Sequence, residues 1–133
     1  MIVRLVGSEM CIRDRHYQDL KSGVHINGVG SFQPSMQEID SETIKNALVF
    51  VDSRESALSE TGDLTIPIQE GIIGKNHLRA EIGELLENPS LGRNTPDEIT
   101  FFKSCGVAVQ DVVAAGMALE QAKKHNLGRI IRM

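Results

Sequence analysis

Apolar and polar positions change period several times along this chain. "VHINGV", Val24 to Val29, alternates apolar with polar residues and stops at Gly30, which is the period-two signature of a strand. After the polar stretch "GSFQPSMQEID", Asp40 stands where a helix N-cap is expected. Glu42 follows in the first turn, and Ile44, Ala47 and Leu48 supply a short apolar face. "LVFVD", Leu48 to Asp52, is a compact apolar run that predicts a second strand. Ser53 is placed to cap a helix carrying Ala57 and Leu58, which Gly62 ends. "DLTIPIQEGII" predicts irregular chain, because Pro67 excludes a long uninterrupted helix. Leu78, Ile82, Leu85 and Leu86 recur at helical spacing, so a helix is predicted from His77 to Glu87, and "NPSLGRNTPDE" reads as a loop. "ITFFKS", Ile99 to Ser104, predicts a third strand, and a long helix follows from about Val107 to Lys124, with Gly128 just beyond it.

Strands alternating with helices indicate an α/β fold with parallel strands. In open parallel sheets ligands bind beyond the carboxyl ends of the strands. "GVGSFQP" after the first strand and "KSCG" after the third therefore stand where a cofactor would lie, and Gly28 and Gly30 would let backbone approach a flat ligand. The glycine pair alone is weak evidence. "GVGSFQ" is not GxGxxG, and Gly-x-Gly at a strand end is more often a tight turn. The sequence has no P-loop, zinc motif or nucleophile elbow. Its four histidines are dispersed, and each reads as structural or exposed; His25, inside a strand, reads as a hydrogen-bonded core residue. Glu81 and Glu84 share a helical face by spacing, and such a pair is usually solvated. The residues by themselves thus give an α/β domain with a candidate nucleotide site at its strand ends.

Composition narrows the partners more than the chemistry. The chain has 133 residues, 41% hydrophobic and 24% charged, which suits one globular core. A net charge of −4 with scattered Lys and Arg gives no basic stripe, so nucleic acid is not expected as a partner, and no segment is long and apolar enough to predict a membrane span. Cys11 and Cys105 have no metal-ligand spacing and imply no disulfide framework, so no metal is expected and a reducing cytoplasm is the simplest compartment. Residues 1–15, "MIVRLVGSEMCIRDR", fit no targeting peptide. "SEMCIRDR" in particular is similar to translated sequencing adapters, the alternative being an ordinary strand "MIVRLV" and a turn. The expectation is a non-native leader, a gene truncated upstream and a longer natural protein.

Four ordered stretches carry a more specific resemblance. "KSGVHINGVGSFQPSMQEID", "VFVDSRESALSETGDL", "EIGELL" and "DEITFFKSCGVAVQDVVAA" resemble, in this order, the carboxyl-terminal part of the ornithine cyclodeaminase and μ-crystallin family, over residues 16–133. The resemblance implies an NAD- or NADP-dependent protein that is a homodimer at full length and acts on a small amino acid or cyclic imine. Residues 16–104 would be the second half of a Rossmann-like parallel sheet. Residues 105–133 would be a carboxyl-terminal helix and tail returning to a dimerisation domain that is missing here. The Gly-rich fingerprint and the residue that reads the ribose would lie in the missing half, so NAD and NADP are not separated. Residue by residue, Ile26, Asn27, Gly28 and Val29 match the family's segment along the cofactor near the nicotinamide. Ser104 matches a serine close to both nicotinamide and substrate.

The same resemblance exposes two departures. In cyclodeaminases the loop after this strand resembles "VGGDCPGK", whose aspartate serves the water and proton steps; here that position is Phe32, a candidate substrate contact, and the lysine position is Met36. An aromatic ring moves no proton. Converting ornithine with loss of ammonia needs an acid/base near the reacting carbon, whereas reducing an already cyclic imine needs mainly a hydride from the cofactor and a positioned ring. No catalytic side chain is assigned within this chain. The reading is a reductase of cyclic imine carboxylates of the Δ1-pyrroline-2-carboxylate type. An ammonia-eliminating ornithine cyclodeaminase and a non-catalytic nucleotide-binding protein are the alternatives, and the segment alone is expected to be inactive.

Overall fold

The computed structural model describes residues 16–129 and residue 131. The expectations for residues 1–15, Cys11 included, lie outside the described residues. Four parallel strands form one sheet: β1 (His25–Gly28), β2 (Leu48–Val51), β3 (Leu78–Glu81) and β4 (Thr100–Lys103), in spatial order β1-β4-β2-β3. The last strand thus enters between the first two, and it carries Ser104 to the middle of the sheet's carboxyl edge. Register sets the two faces. Ile26 pairs with Phe101 and Phe101 with Val49, whereas Asn27, Phe102 and Phe50 align on the other side.

The first face is the core. Val49, Val51, Leu78 and Phe101 pack with Ile39, Ile44, Ala47, Ala57, Leu64 and Ile73, and Ile26 lies at its margin. This face is covered by α1 (Ser41–Asn46), α2 (Arg54–Glu60) and α3 (Gly62–Gln69), with α3 packed on both of the others. Their starts follow the predicted caps. Asp40 Oδ1 accepts from the Thr43 N–H at 2.6 Å, and Ser53 Oγ from the Ser56 N–H at 3.4 Å.

Two expectations are corrected. The stretch after Gly62 is not irregular but forms α3, capped by Thr61, and the helix runs through Pro67. Pro67 sits near the carboxyl end of an eight-residue helix, where it removes one backbone bond. Burial of Leu64, Thr65 and Pro67 against the core outweighs that loss. The second correction divides the helix expected from His77 to Glu87 into β3 and α4 (Ile82–Glu87). Leu78, Ala80 and Ile82 also satisfy a period of two, and pairing of Leu78 and Ala80 with β2 buries both, which a helix there would not. The ambiguity was in the apolar spacing itself, and the neighbouring strand resolved it.

The long helix α5 (Ala108–Lys124) forms where it was predicted, yet none of its residues is buried. Val109, Val112, Val113, Met117 and Leu119 are each more than half exposed. No helix among the described residues is long and apolar enough to cross a membrane.

Candidate functional site

Three chain segments meet at the carboxyl edge of the sheet: the loop after β1, Asp52 after β2, and the turn after β4. Asp52 joins the second to the third. Its Oδ2 accepts from Ser104 Oγ, the Cys105 N–H and the Gly106 N–H, each at 2.9 Å, and its Oδ1 accepts from the Ser53 N–H at 2.8 Å. The Ser104 N–H donates to the Gly28 carbonyl at 3.1 Å, so the expected contacts Gly28 and Ser104 are adjacent.

A second, deeper carboxylate holds the loop after β1. Asp63, fully buried, accepts from the backbone N–H groups of Glu38 at 2.7 Å and Ile39 at 3.1 Å. Lys103, also fully buried, brings its Nζ to 3.3 Å from Asp63 Oδ2, a charge contact without hydrogen-bond geometry. Ser31 Oγ lies 2.6 Å from the Met36 carbonyl and 2.7 Å from Thr61 Oγ1, and the Glu38 side chain accepts from the Gly30 N–H at 2.8 Å. The loop is therefore fixed from within. This leaves Val29 at 70% and Phe32 at 62% exposure as its apolar outward surface.

The other expected site residues divide by face. Ile26 packs against the core, whereas Asn27 is exposed and lies 3.2 Å from His25 on the opposite face. The glycines are explained inside the fold. A Cβ on Gly28 would stand 2.7 Å from the Phe101 ring, and one on Gly30 would collide with the Glu38 carboxylate. Their small size makes room for these neighbours. His25 is not a core residue; it is exposed, with Nδ1 2.7 Å from Thr100 Oγ1. Glu81 and Glu84 are not a free solvated pair either. They form the capping box of α4, and Glu84 binds Arg54 at 2.7 Å. The Arg54 guanidinium hydrogen bond, together with the Glu81 N–H, holds the Glu84 carboxyl below the ordinary value of 4.5, and Glu84 in turn raises Arg54.

A concavity of about 440 Å³ opens on the sheet face away from the core, lined by His25, Asn27, Phe50, Phe102, Ile82 and Arg93 among others. Parallel sheets are ordinarily buried on both faces, and an apolar floor of this kind suits such packing. The described residues contain no cluster of three or more His, Cys, Asp or Glu side chains placed to hold a metal ion. Asp52, Asp63 and Lys103 were missed as site residues from the sequence. The available signal was an acid ending a buried strand directly before a helix cap, and a lysine inside the otherwise apolar run "ITFFKS".

With this geometry in place, the comparison with known families is decisive: residues 17–126 match the model of the ornithine cyclodeaminase/mu-crystallin family. The chain belongs to that family. It is 47% identical over 113 residues to a Δ(1)-pyrroline-2-carboxylate reductase of Bacillus cereus, covering 84% of this chain and 35% of that protein. Among solved structures it is similar to Δ(1)-pyrroline-2-carboxylate reductase of Thermococcus litoralis in complex with NADH and L-proline. The TM-score there is 0.78 with 40% identity, over 84% of this chain and 35% of the other. An archaeal alanine dehydrogenase dimer with bound NAD gives a TM-score of 0.77 and 35% identity, over 89% and 37% of the two chains. The chain thus spans about a third of the length of the family members it matches.

Proposed function

We propose that the protein to which this segment belongs is a nicotinamide-dependent reductase of cyclic imine carboxylates, with Δ1-pyrroline-2-carboxylate as the representative substrate. One observation carries the choice of reaction. Around the loop after β1 and the turn after β4, three carboxylates are engaged inside the fold: Asp52 by four donors, Asp63 by two backbone N–H groups and Lys103, and Glu38 by the Gly30 N–H. The loop that would have to carry an acid/base for ammonia loss presents Val29 and Phe32 instead. Such an edge suits a reaction whose work is positioning. The relatives support the same reading, since the Bacillus cereus and Thermococcus litoralis proteins are named for this reduction.

The residues present also fit the cofactor. Exposed apolar side chains at Val29 and Phe32, beside the carbonyl-rich strand ends, suit a flat ring that is part apolar and part polar, and Ser104 supplies a polar atom next to it. When bound, a reduced nicotinamide supplies a hydride. Val29 and Phe32 would exclude water and hold the imine ring flat against that group, with Ile26, Asn27 and Gly28 giving the backbone along it and Ser104 the hydrogen bond beside it. The hydride adds to the imine carbon and a proton ends on nitrogen, so C=N becomes CH–NH with no group expelled. We further propose a homodimer, in line with the archaeal alanine dehydrogenase.

The test is paired. The intact protein, given Δ1-pyrroline-2-carboxylate with NADH or NADPH, is expected to consume cofactor and form proline in equal amounts, and to release little ammonia from L-ornithine. Stoichiometric proline and ammonia from L-ornithine would assign the cyclodeaminase reaction. Tight cofactor binding with no consumption would assign a binding protein.

A further inference from the structure

Ser104 Oγ is one of four donors that converge on a single carboxylate. The other three are backbone N–H groups, of Ser53, Cys105 and Gly106, and these can only donate. With its acceptor sites taken up in this way, Asp52 has no proton to offer the serine, so the one hydroxyl proton of Ser104 must point at Asp52. The serine oxygen is then left with lone pairs and no donor to give. Among the described residues Ser104 Oγ has no other hydrogen-bond partner. It lies at the centre of the carboxyl edge, beside Gly28, where open α/β sheets bind ligands.

We infer that Asp52 is a positioning residue that fixes the Ser104 hydroxyl as a hydrogen-bond acceptor for a ligand N–H. This rests on the reductase reading above and sharpens it, because both expected ligands carry such a group. The nicotinamide has its carboxamide NH2, and the cyclic imine, once protonated for reduction, has an iminium N–H. The Asp52 charge behind the serine favours a donor that is itself cationic. A ligand that offers only acceptors at this point, such as a carbonyl oxygen, meets lone pairs and is disfavoured. Asp52 does this without touching the ligand.

The experiment is a kinetic cycle on the intact protein with Ser104→Ala, Asp52→Asn and the double variant. Ser104→Ala is expected to lower kcat/KM for the imine about 10- to 100-fold. Asparagine keeps the shape of Asp52 and, with three donors gathered at the Oδ2 position, turns its one oxygen there, so the serine keeps an acceptor but loses the charge behind it. Its loss is expected to be smaller than that of Ser104→Ala in the wild-type background and clearly reduced in the Ser104→Ala background, where only the backbone contacts of Asp52 remain to be disturbed. Asp52→Asn costing the same factor in both backgrounds would mean that Asp52 only holds the turn, and the inference would be overturned. Unchanged kcat/KM in Ser104→Ala would overturn it too.

The source of the N–H is read with a cofactor analogue carrying a methyl ketone in place of the carboxamide. If the carboxamide is the donor, Ser104→Ala weakens NADH binding in a fluorescence titration without imine and loses nothing further with the analogue; if the iminium is the donor, NADH affinity is unchanged and the variant loses the same factor with either cofactor. A wild-type protein that reduces no cyclic imine would remove the reductase reading and this inference with it, whereas an active wild type with an indifferent Ser104 removes only the inference.

Discussion

At the scale of single residues, the two acids at the carboxyl edge differ in what surrounds them, and so in what their loss should do. Asp63 faces a lysine with no exposed surface, so removing either partner strands a buried charge. Asp63→Ala is expected to destabilise the intact protein by about 3–5 kcal/mol in denaturant unfolding, while Asp63→Asn combined with Lys103→Met stays nearer to wild type. A single variant with no measurable effect would show that Lys103 reaches water. Cys105 gives a chemical readout. Burial, partly opposed by the Lys103 charge, pushes its thiol from 9.0 up to about 11. The folded state therefore prefers the neutral thiol, and the stability this contributes is complete below pH 9.0 and lost as pH rises towards about 11. Since only the thiolate reacts, alkylation of Cys105 at neutral pH should be about 100-fold slower than that of an ordinary thiol. Peptide mapping separates it from Cys11. None of this was legible beforehand, because burial and partners are set by neighbours distant in sequence; Asp52 and Ser104 are 52 positions apart.

At the scale of elements, caps were legible because they are local. Asp40 and Ser53 each sit within three residues of the N–H they accept from. The strand β3 was not legible, because Leu78, Ala80 and Ile82 suit two periods and only pairing with β2 chooses between them. The corner between β3 and α4 is held by Arg54, which bonds Glu84 and whose backbone N–H donates to Glu81 Oε1 at 2.7 Å. Because Glu84 titrates below 4.5 when folded, its contribution is present above that value and is lost as pH falls through the lower folded value. Removing the guanidinium in Arg54→Ala should move the Glu84 titration upward, which carboxyl-carbon NMR reads directly. An unmoved titration would mean that the Glu81 N–H alone sets it.

At the scale of the whole molecule, the sheet is covered on its α1–α3 face, while the other face carries the concavity of about 440 Å³ and α5 has no buried residue. The resemblance implied a helix that returns to another domain, and we propose that the exposed apolar face of α5 is the surface that does so. Ala115→Leu should then cost about 1–3 kcal/mol in the intact protein and little in residues 1–133 alone. Equal destabilisation of both would show that α5 packs locally. The general α/β plan and the Ser104 end of β4 were visible in the alternation of elements and in "ITFFKS". The reaction was approached only through Phe32, whose exposure the loop's internal bonds then explained. The central claim is that hydride passes directly to an imine carbon with nothing expelled. It is tested most directly by giving the intact protein Δ1-pyrroline-2-carboxylate and a reduced cofactor deuterated at the transferring position, then locating the label by NMR and mass spectrometry. The expected product is proline with a single deuteron at Cα; unlabelled proline, or label appearing only when ornithine is supplied and ammonia is released, would contradict it.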